Sequence, residues 1–188
     1  MFDIKWLESL ELAQREIAST NRLVFLFFHD IACGGCEKTK TNTFTHPSVV
    51  EFISGAFAAV NFNVTESQEM TARYNVEWTP TFIIADEHGR ELERWVGYLP
   101  PEDFLCQMHL SMGLADIHIK RFKDAESAFE WILDYNPNAD AAPEARYFMG
   151  VALYKDSGDD EHLKRTWEAM NHRYPGNFWT KKASAWSH

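Results

Sequence analysis

The sequence predicts an α/β fold, a mixed sheet with flanking helices, followed by an all-α module of helical hairpins. Two observations lead to this fold class. Apolar runs of strand type alternate with helical segments as far as about residue 105, and no strand pattern remains beyond it. The chain of 188 residues therefore divides into two predicted domains, residues 1–106 and residues 107–188.

The first predicted domain alternates helices and strands. Residues 4–18 have near-helical apolar spacing, and residues 23–29 form a continuous apolar run that suits a strand buried on both faces. Asp86-Glu87-His88-Gly89 is a turn signal between two later strands. The predicted order is helix 4–18, strand 23–29, a helix from Cys36, helix 49–56, strand 57–64, helix 66–74, strand 80–85, strand 91–96 and a helix from about Glu102.

The second predicted domain contains only helices and has a faint internal repeat. Gly113 and Gly150 are 37 residues apart, and Phe129 and Trp167 are 38 residues apart. A period of this length with helix-turn-helix content indicates a helical solenoid. The predicted helices are 104–119, 123–135, 141–155 and 161–173, followed by a weak helix or frayed tail over 178–188.

Composition and charge exclude several classes of protein. An apolar share of 45%, with 14% aromatic residues, is enough for a packed core. Lys and Arg number 18 against 28 Asp and Glu, and this net charge of -10 argues against binding to nucleic acid. No stretch reaches the roughly 18–20 apolar residues that span a membrane, so no membrane partner is expected.

The N-terminal segment gives an expectation about location. Its first 20 residues are charged throughout and lack the apolar core of a signal peptide. With Met1 as the native start, we expect a cytoplasmic protein. If an export signal was removed, we expect a periplasmic one.

Two of the three cysteines form the motif Cys33-Gly34-Gly35-Cys36, between a predicted strand and a predicted helix. The first thiol of such a motif lies at the helix N-terminus, where unpaired N–H groups and the helix dipole stabilise a thiolate. The second thiol lies one turn further on the same face. We therefore expect Cys33 to be the nucleophile and Cys36 the resolving thiol of thiol–disulfide exchange. Gly34 and Gly35 put no side chain beside Cys33, so a bulky substrate can approach.

A zinc site is the alternative interpretation of the cysteine pair. Two thiolates need two further ligands. His29 and His46 occur nearby, but the sequence has no second C-x-x-C and no H-x3-H, so we expect neither a metal nor another cofactor. Cys106 stands alone and is expected to be a small buried core residue, with a redox or dimer role as the alternative.

Thr79-Pro80 comes directly before a predicted strand, 44 residues after Cys36. Proline is confined to the margins of sheets. Together with the upstream strand, C-x-x-C and helix, and with Gly97 after the last strand, it makes residues 2–110 resemble the thioredoxin superfamily. Within that superfamily the chain is most similar to domains that begin with a helix and lack an extra N-terminal strand, such as the C-terminal domain of the electron-transfer protein DsbD.

The resemblance implies that Pro80 is cis and lies against the cysteines, and that the Thr79 backbone is left to pair with a substrate strand. Three positions depart from the family. Ala32 stands where tryptophan is usual, Gly35 stands where proline is usual, and Phe27 stands where a buried acid commonly accepts the proton of the resolving thiol. These departures leave the redox potential and the direction of exchange open.

Residues 109–176 resemble tetratricopeptide repeats. Two repeats are fewer than the roughly three that usually stand alone, so we expect the tail to dock on the first domain or to pair between chains. It is also the expected site of a protein partner. The matching positions are Gly113, Ala125, Phe129 and Pro137 in one repeat and, more loosely, Gly150, Trp167 and Pro175 in the second.

The predicted function is that of an enzyme, a thiol–disulfide oxidoreductase of the protein disulfide reductase type. It would exchange a Cys33–Cys36 disulfide or dithiol with protein substrates, and the sequence does not identify its electron donor. The alternative is a non-catalytic adaptor in which the repeats bind partners and the first domain is a scaffold. The intact cysteine pair favours the enzyme, because an adaptor would be free to lose it.

Overall fold

The computed structural model describes residues 3–187. The chain divides into two compact units, Met1–Phe104 and Leu105–His188. The strands of the first unit are β1 (Trp6–Leu7), β2 (Leu23–His29), β3 (Phe57–Asn63), β4 (Thr81–Ala85) and β5 (Glu91–Val96). Its helices are α1 (Leu10–Ile17), α2 (Gly34–Lys38), α3 (Pro47–Ala56) and α4 (Gln68–Arg73), and a π-helical turn, Thr39–Thr43, continues α2.

The five strands form one mixed sheet in the order β1-β3-β2-β4-β5. Strands β1 and β2 both run parallel to β3, whereas β4 is antiparallel to β2 and β5 is antiparallel to β4. This confirms the fold class predicted from the sequence. Because β2 is the central strand of this order, every one of its residues is buried, and the strand delivers the chain to the cysteine motif from inside the sheet.

The two faces of β2 belong to different layers of the core. Val24, Leu26 and Phe28 pack with buried residues of α1 and β3 on one face. Side chains alternate along a strand, so Phe25 and Phe27 enter an aromatic layer on the opposite face. The other rings of this aromatic layer are Trp6, Phe44, Phe57, Phe82, Trp95 and Phe104.

The second unit is helical. Helix α5 (Pro101–His118) begins in the first unit and is followed by α6 (Phe122–Tyr135), α7 (Ala142–Ser157), α8 (Glu161–Arg173), α9 (Phe178–Ala183) and a 3-10 turn, Ser184–Trp186. None of the helices formed by residues 3–187 is both long enough and apolar enough to cross a membrane. The buried core of this unit includes Cys106, Leu110, Ala125, Phe129, Ile132, Ala142, Ala145 and Ala152.

The spacing of Gly113 and Gly150 has a structural counterpart. A Cβ atom on Gly113 would lie 2.5 Å from the ring of Phe129, and one on Gly150 would lie 2.2 Å from Thr166 Oγ1. Each glycine therefore receives a side chain of the next helix, 16 residues later in both cases. The residue that corresponds to Phe129 is Thr166, because each of the two packs on the glycine of the preceding helix. The match of Trp167 to Phe129 is therefore wrong by one residue.

The N-terminal segment differs from its prediction. Trp6 and Leu7 form strand β1, which pairs with β3, and the first helix begins only at Leu10. The Ser9 hydroxyl accepts a backbone N–H of the first turn at 3.3 Å, as an N-cap does. The helix predicted over 4–18 is therefore wrong over residues 4–9, and the domain has a short N-terminal strand. Two residues of strand leave no periodicity in a sequence.

Candidate active site

Cys33 lies at the junction of β2 and α2. It is the N-cap residue of α2, with an extended backbone of φ -96° and ψ 106°. Its Sγ accepts the backbone N–H of Cys36 at 3.0 Å, so the sulfur occupies the place of the side-chain oxygen that caps other helices. An N–H directed at the sulfur in this way stabilises negative charge on it.

A disulfide joins Cys33 to Cys36, with the two Cα atoms 5.2 Å apart. Only 1% of Cys36 is exposed, whereas Cys33 is half-buried and Gly34 beside it is exposed. A thiolate from another molecule can therefore reach the sulfur of Cys33 but not that of Cys36. This is the asymmetry that the roles expected for the two thiols require.

The Thr79-Pro80 peptide bond is cis, as the sequence resemblance implied. The Pro80 ring lies against the motif, since a Cβ atom on Gly35 would be 3.1 Å from Pro80 Cδ. The Pro80 carbonyl accepts the N–H of Gly97 at 2.9 Å. Within residues 3–187, the backbone N–H and C=O of Thr79 make no hydrogen bond, and an extended segment of another chain could pair with them.

A second wall of the site comes from the segment after β5. Asn42 Nδ2 donates to the Tyr98 hydroxyl at 2.8 Å, and Thr43 Oγ1 donates to the Leu99 carbonyl at 2.7 Å. These bonds hold Tyr98 close to the motif. A Cβ atom on Gly35 would lie 3.6 Å from the Cβ atom of Tyr98. This wall was not predicted from the sequence, because Tyr98 lies in a predicted break between elements and no spacing connects it with the cysteines.

An open cleft of about 530 Å³ lies beside Cys33. It is walled by residues 32–35 and 76–79 together with Asp30, Val64 and Thr71. The cleft thus brings together the predicted site residues other than the buried Cys36 and Pro80. Trp78 is 73% exposed, and the sequence predicted no role for it in the site. A large apolar side chain in a loop just before Thr-Pro was the signal that could have identified it.

The comparison with known protein families agrees with this geometry. Residues 10–110, more than half of the chain, match the sequence profile of the thioredoxin-like domain. The chain belongs to the thioredoxin-like family. No curated protein sequence is significantly similar to it.

Solved structures are similar to the thioredoxin-like domain. A thioredoxin from Thermus thermophilus is 27% identical over 64% of this chain and 90% of its own, with a TM-score of 0.48. The DsbH oxidoreductase is 19% identical, with coverages of 58% and 84% and a TM-score of 0.50. A disulphide-isomerase candidate from Bacteroides thetaiotaomicron is 20% identical, with coverages of 58% and 93% and a TM-score of 0.51. The last two show a shared fold. A thioredoxin-like fold with a C-x-x-C disulfide supports a thiol–disulfide oxidoreductase in general.

Phe27 occupies the position at which many thioredoxin-like domains have a buried acid. Its ring is 1% exposed and lies 5.3 Å from Phe82 and 5.0 Å from Phe44. The surroundings are aromatic, and a carboxylate would be desolvated there without a partner. Of the acids that flank the motif in sequence, Asp30 accepts the Ala32 N–H at 3.3 Å and so caps the loop.

His29 is the polar group that follows Phe27 on the same face of β2. Lys40 Nζ lies 3.0 Å from His29 Nδ1, and an ammonium group can only donate, so Nδ1 accepts. Nε2 then carries the proton and lies 3.4 Å from Asn61 Oδ1. Burial, and after it the charge of Lys40, lower the pKa of His29. The imidazole is therefore held neutral at the end of β2.

The remaining sequence expectations concern metal binding and the third cysteine. Among residues 3–187, no group of three His, Cys, Asp or Glu side chains lies close enough together to hold a metal ion. His29 is directed at Lys40 and Asn61. Cys106 takes no part in a disulfide, is 1% exposed and lies in the core of the helical unit, which agrees with its expected place as a core residue.

Proposed function

We propose that the thioredoxin-like domain reduces disulfides of protein substrates through Cys33 and Cys36. The observation that supports this most directly is the asymmetry of the pair. Cys33 is half-buried and its sulfur accepts a backbone N–H, whereas Cys36 is 1% exposed and bonded to Cys33. One sulfur is thus accessible to a substrate and the other only to Cys33.

The reaction starts from the dithiol form. The Cys33 thiolate attacks one sulfur of the substrate disulfide, a mixed disulfide forms, and the released substrate thiolate takes up a proton. Cys36 then loses its proton and attacks Cys33 Sγ, which breaks the mixed disulfide and releases the second substrate thiol. Two electrons have passed to the substrate, and the Cys33–Cys36 disulfide is the product. A dithiol donor from outside the chain returns two electrons and two protons in a new cycle.

The substrate would bind as an extended segment beside Pro80. The backbone of Thr79 offers an N–H and a C=O for strand pairing, and the Pro80 ring lies against Gly35 of the motif. Gly34 has no atom within 4 Å of the position that a Cβ would take, so the chain of the substrate can pass over it. Gly35 lets the motif lie close to Pro80, because a Cβ atom at this position would be only 3.1 Å from Pro80 Cδ.

Trapping of the intermediate tests the proposal. In a Cys106→Ala background, Cys36→Ser should accumulate mixed disulfides with protein substrates, because nothing resolves them, and Cys33→Ser should accumulate none. Non-reducing gels after alkylation measure both. Equal trapping by the two variants, or trapping by neither while the wild type reduces insulin in the presence of dithiothreitol, would contradict these roles.

Contacts within the helical unit support a second candidate function, that of an adaptor. The matching contacts of Gly113 with Phe129 and of Gly150 with Thr166 support a repeated packing of helices, and proteins built from stacked helical repeats bind partners on their extended surfaces. In our proposal this unit selects partners for the redox domain. If the wild type fails to accelerate insulin reduction by dithiothreitol although it is folded, the adaptor becomes the better description of the whole chain.

A further inference from the structure

The cleft beside Cys33 combines an exposed indole with two acidic side chains. Trp78 is 73% exposed. Glu77 adjoins it in sequence, and Asp30 lines the same cleft from the loop after β2. Of the residues that wall the cleft, none is a lysine or an arginine. The surface next to the Cys33 sulfur therefore has an apolar part, the Trp78 indole, and two acidic groups, the carboxylates of Glu77 and Asp30.

The basic side chains of α2 and of the π-helical turn that continues it lie against groups outside the lining of this cleft. The Lys38 ammonium lies 5.8 Å from the centre of the Tyr98 ring, and Lys40 Nζ lies 3.0 Å from His29 Nδ1. Neither residue lines the cleft. Asp30 is held in place because its Oδ1 accepts the Ala32 N–H. No lysine or arginine that lines the cleft therefore neutralises the negative charge of Asp30 and Glu77.

We infer that this cleft selects substrate disulfides that carry an arginine within two residues of the attacked cysteine. The guanidinium group stacks on an exposed indole by cation–π interaction and pairs with carboxylates at the same time. Trp78 would hold the planar group, and Glu77 and Asp30 would hold its charge. The inference rests on the proposed function, because the cleft matters to exchange only if Cys33 attacks the substrate.

A matched set of peptides tests the selection. Each hexapeptide has one cysteine linked as a disulfide to a thionitrobenzoate chromophore, and arginine or citrulline occupies one of the four positions within two residues of it. Citrulline has nearly the shape of arginine but no charge. The full-length protein, reduced beforehand and freed of reductant, releases the chromophore in a single turnover, and its second-order rate constant is measured at low salt.

At one of these positions at least, we expect the arginine peptide to react about fivefold faster than its citrulline counterpart, because each partly exposed charge pair contributes modestly. Asp30→Asn and Glu77→Gln should each reduce this ratio to roughly twofold, and Trp78→Ala should reduce it as well. The preference should also weaken as the salt concentration rises, since salt screens exposed charges.

A control separates the cleft from the overall charge. A chain with a net charge of -10 attracts any cationic peptide to some extent. Glu51→Gln, an exposed position on α3, removes the same charge outside the cleft and should leave the ratio unchanged. If Glu51→Gln lowers the ratio as much as Glu77→Gln does, the attraction is general and the inference is wrong.

The remaining outcomes distinguish the two proposals. If all four citrulline and all four arginine peptides react at rates within twofold of each other, the cleft does not select arginine. A third peptide carries norleucine at the position where arginine reacts fastest. If it reacts as fast as the arginine peptide, the indole selects apolar side chains and not the cation, which also overturns the inference. If the reduced wild type reacts with no peptide at all, the proposed function fails first.

Discussion

Gly35 lies so close to Pro80 that a methyl group on it would meet the proline ring. The Cβ atom would be 3.1 Å from Pro80 Cδ, which is tighter than an ordinary van der Waals contact. The Pro80 carbonyl is itself bonded to the N–H of Gly97, so the ring has little room to retreat. Gly34, one residue earlier, has no atom within 4 Å of its own Cβ position. Neighbouring glycines of one motif thus differ in what they tolerate.

The pair Gly34→Ala and Gly35→Ala measures this difference. Both replacements remove a flexible residue from α2 and gain up to about 1 kcal/mol of stability from helix propensity. At Gly35 the contact with Pro80 should cost about 1–2 kcal/mol, so Gly35→Ala should be the less stable variant by about that amount. Urea unfolding of the two oxidised proteins gives the comparison, and equal free energies of unfolding would show that the cis-proline loop yields freely.

At the residue scale, the sequence predicted the cysteine pair and the cis-proline better than it predicted the surface around them. Cys33, Cys36 and Pro80 follow from local motifs, because a strand, a C-x-x-C and a helix need no knowledge of the rest of the fold. Tyr98 could not be found in this way, and the only signal for Trp78 was its place just before Thr79-Pro80. An aromatic residue in a loop has no period, so its exposure depends on which neighbours the completed fold brings to it.

Helix α5 carries two buried titratable side chains of opposite kind. His109 is 7% exposed and stacks on Trp131 with the ring centres 3.8 Å apart, and Asp116 is 4% exposed. Seven residues separate them, so both lie on one face of the helix. Burial lowers the pKa of His109 to about 3. Burial also raises the pKa of Asp116 to about 7, against the opposing charge of Arg121.

These two shifts have opposite effects on stability between about pH 4 and pH 6.5. His109 binds a proton less readily in the folded protein than in the unfolded one. Its contribution to the free energy of unfolding is therefore fully present above pH 6.5 and is lost as the pH falls. The folded Asp116 binds a proton more readily, so stability is lost as the pH rises from about 4 to 7. Each slope is about 1.4 kcal/mol per pH unit, and in the wild type they largely cancel.

Single substitutions should therefore uncover two opposite slopes. Relative to wild type, Asp116→Asn should become more stable as the pH rises from 4.5 to 6.5, and His109→Gln should become less stable over the same range. Urea unfolding at three pH values measures both, with the exposed Asp134→Asn on α6 as a control that should stay parallel to wild type. Slopes of the same sign in the two α5 variants would show that the groups do not titrate as their burial requires.

At the element scale, the sequence predicted long elements well and short ones poorly. Strand β2 was found because its run of six apolar residues, which ends just before His29, must be buried on both faces in the centre of a sheet. Strand β1 was missed because two residues have no pattern. The equivalence of Phe129 and Thr166 was missed too. It depends on which residue of the second helix packs on the glycine of the first, and the sequence of one helix does not determine that contact.

At the scale of the whole molecule, each unit has a core of its own, and α5 contributes to both. Phe104 packs in the aromatic layer of the thioredoxin-like domain, 5.3 Å from Phe82. Two residues later, Cys106 belongs to the core of the helical unit, together with Leu110. The redox-capable residues of our proposal, Cys33 and Cys36, lie far before this helix in the sequence.

This arrangement predicts how fragments of the chain behave. Residues 1–110 should keep their reactivity toward a small disulfide, but should be less stable than the full chain, because Leu110 and Cys106 lose the partners that bury them. Residues 111–188 should unfold without a cooperative transition, since they lack those two core side chains and bury too little surface alone. Residues 101–188 keep α5 complete and should melt more cooperatively than 111–188.

Circular dichroism melts of the three fragments, and turnover of a small disulfide by residues 1–110, measure these differences. The comparison of 101–188 with 111–188 is the most specific, because the two fragments differ only in the first ten residues of α5, which include Cys106 and Leu110. Equally cooperative melts of this pair would show that the helical unit does not need the start of α5. Loss of turnover in a fragment 1–110 that is still folded would show that the helical unit takes part in the chemistry.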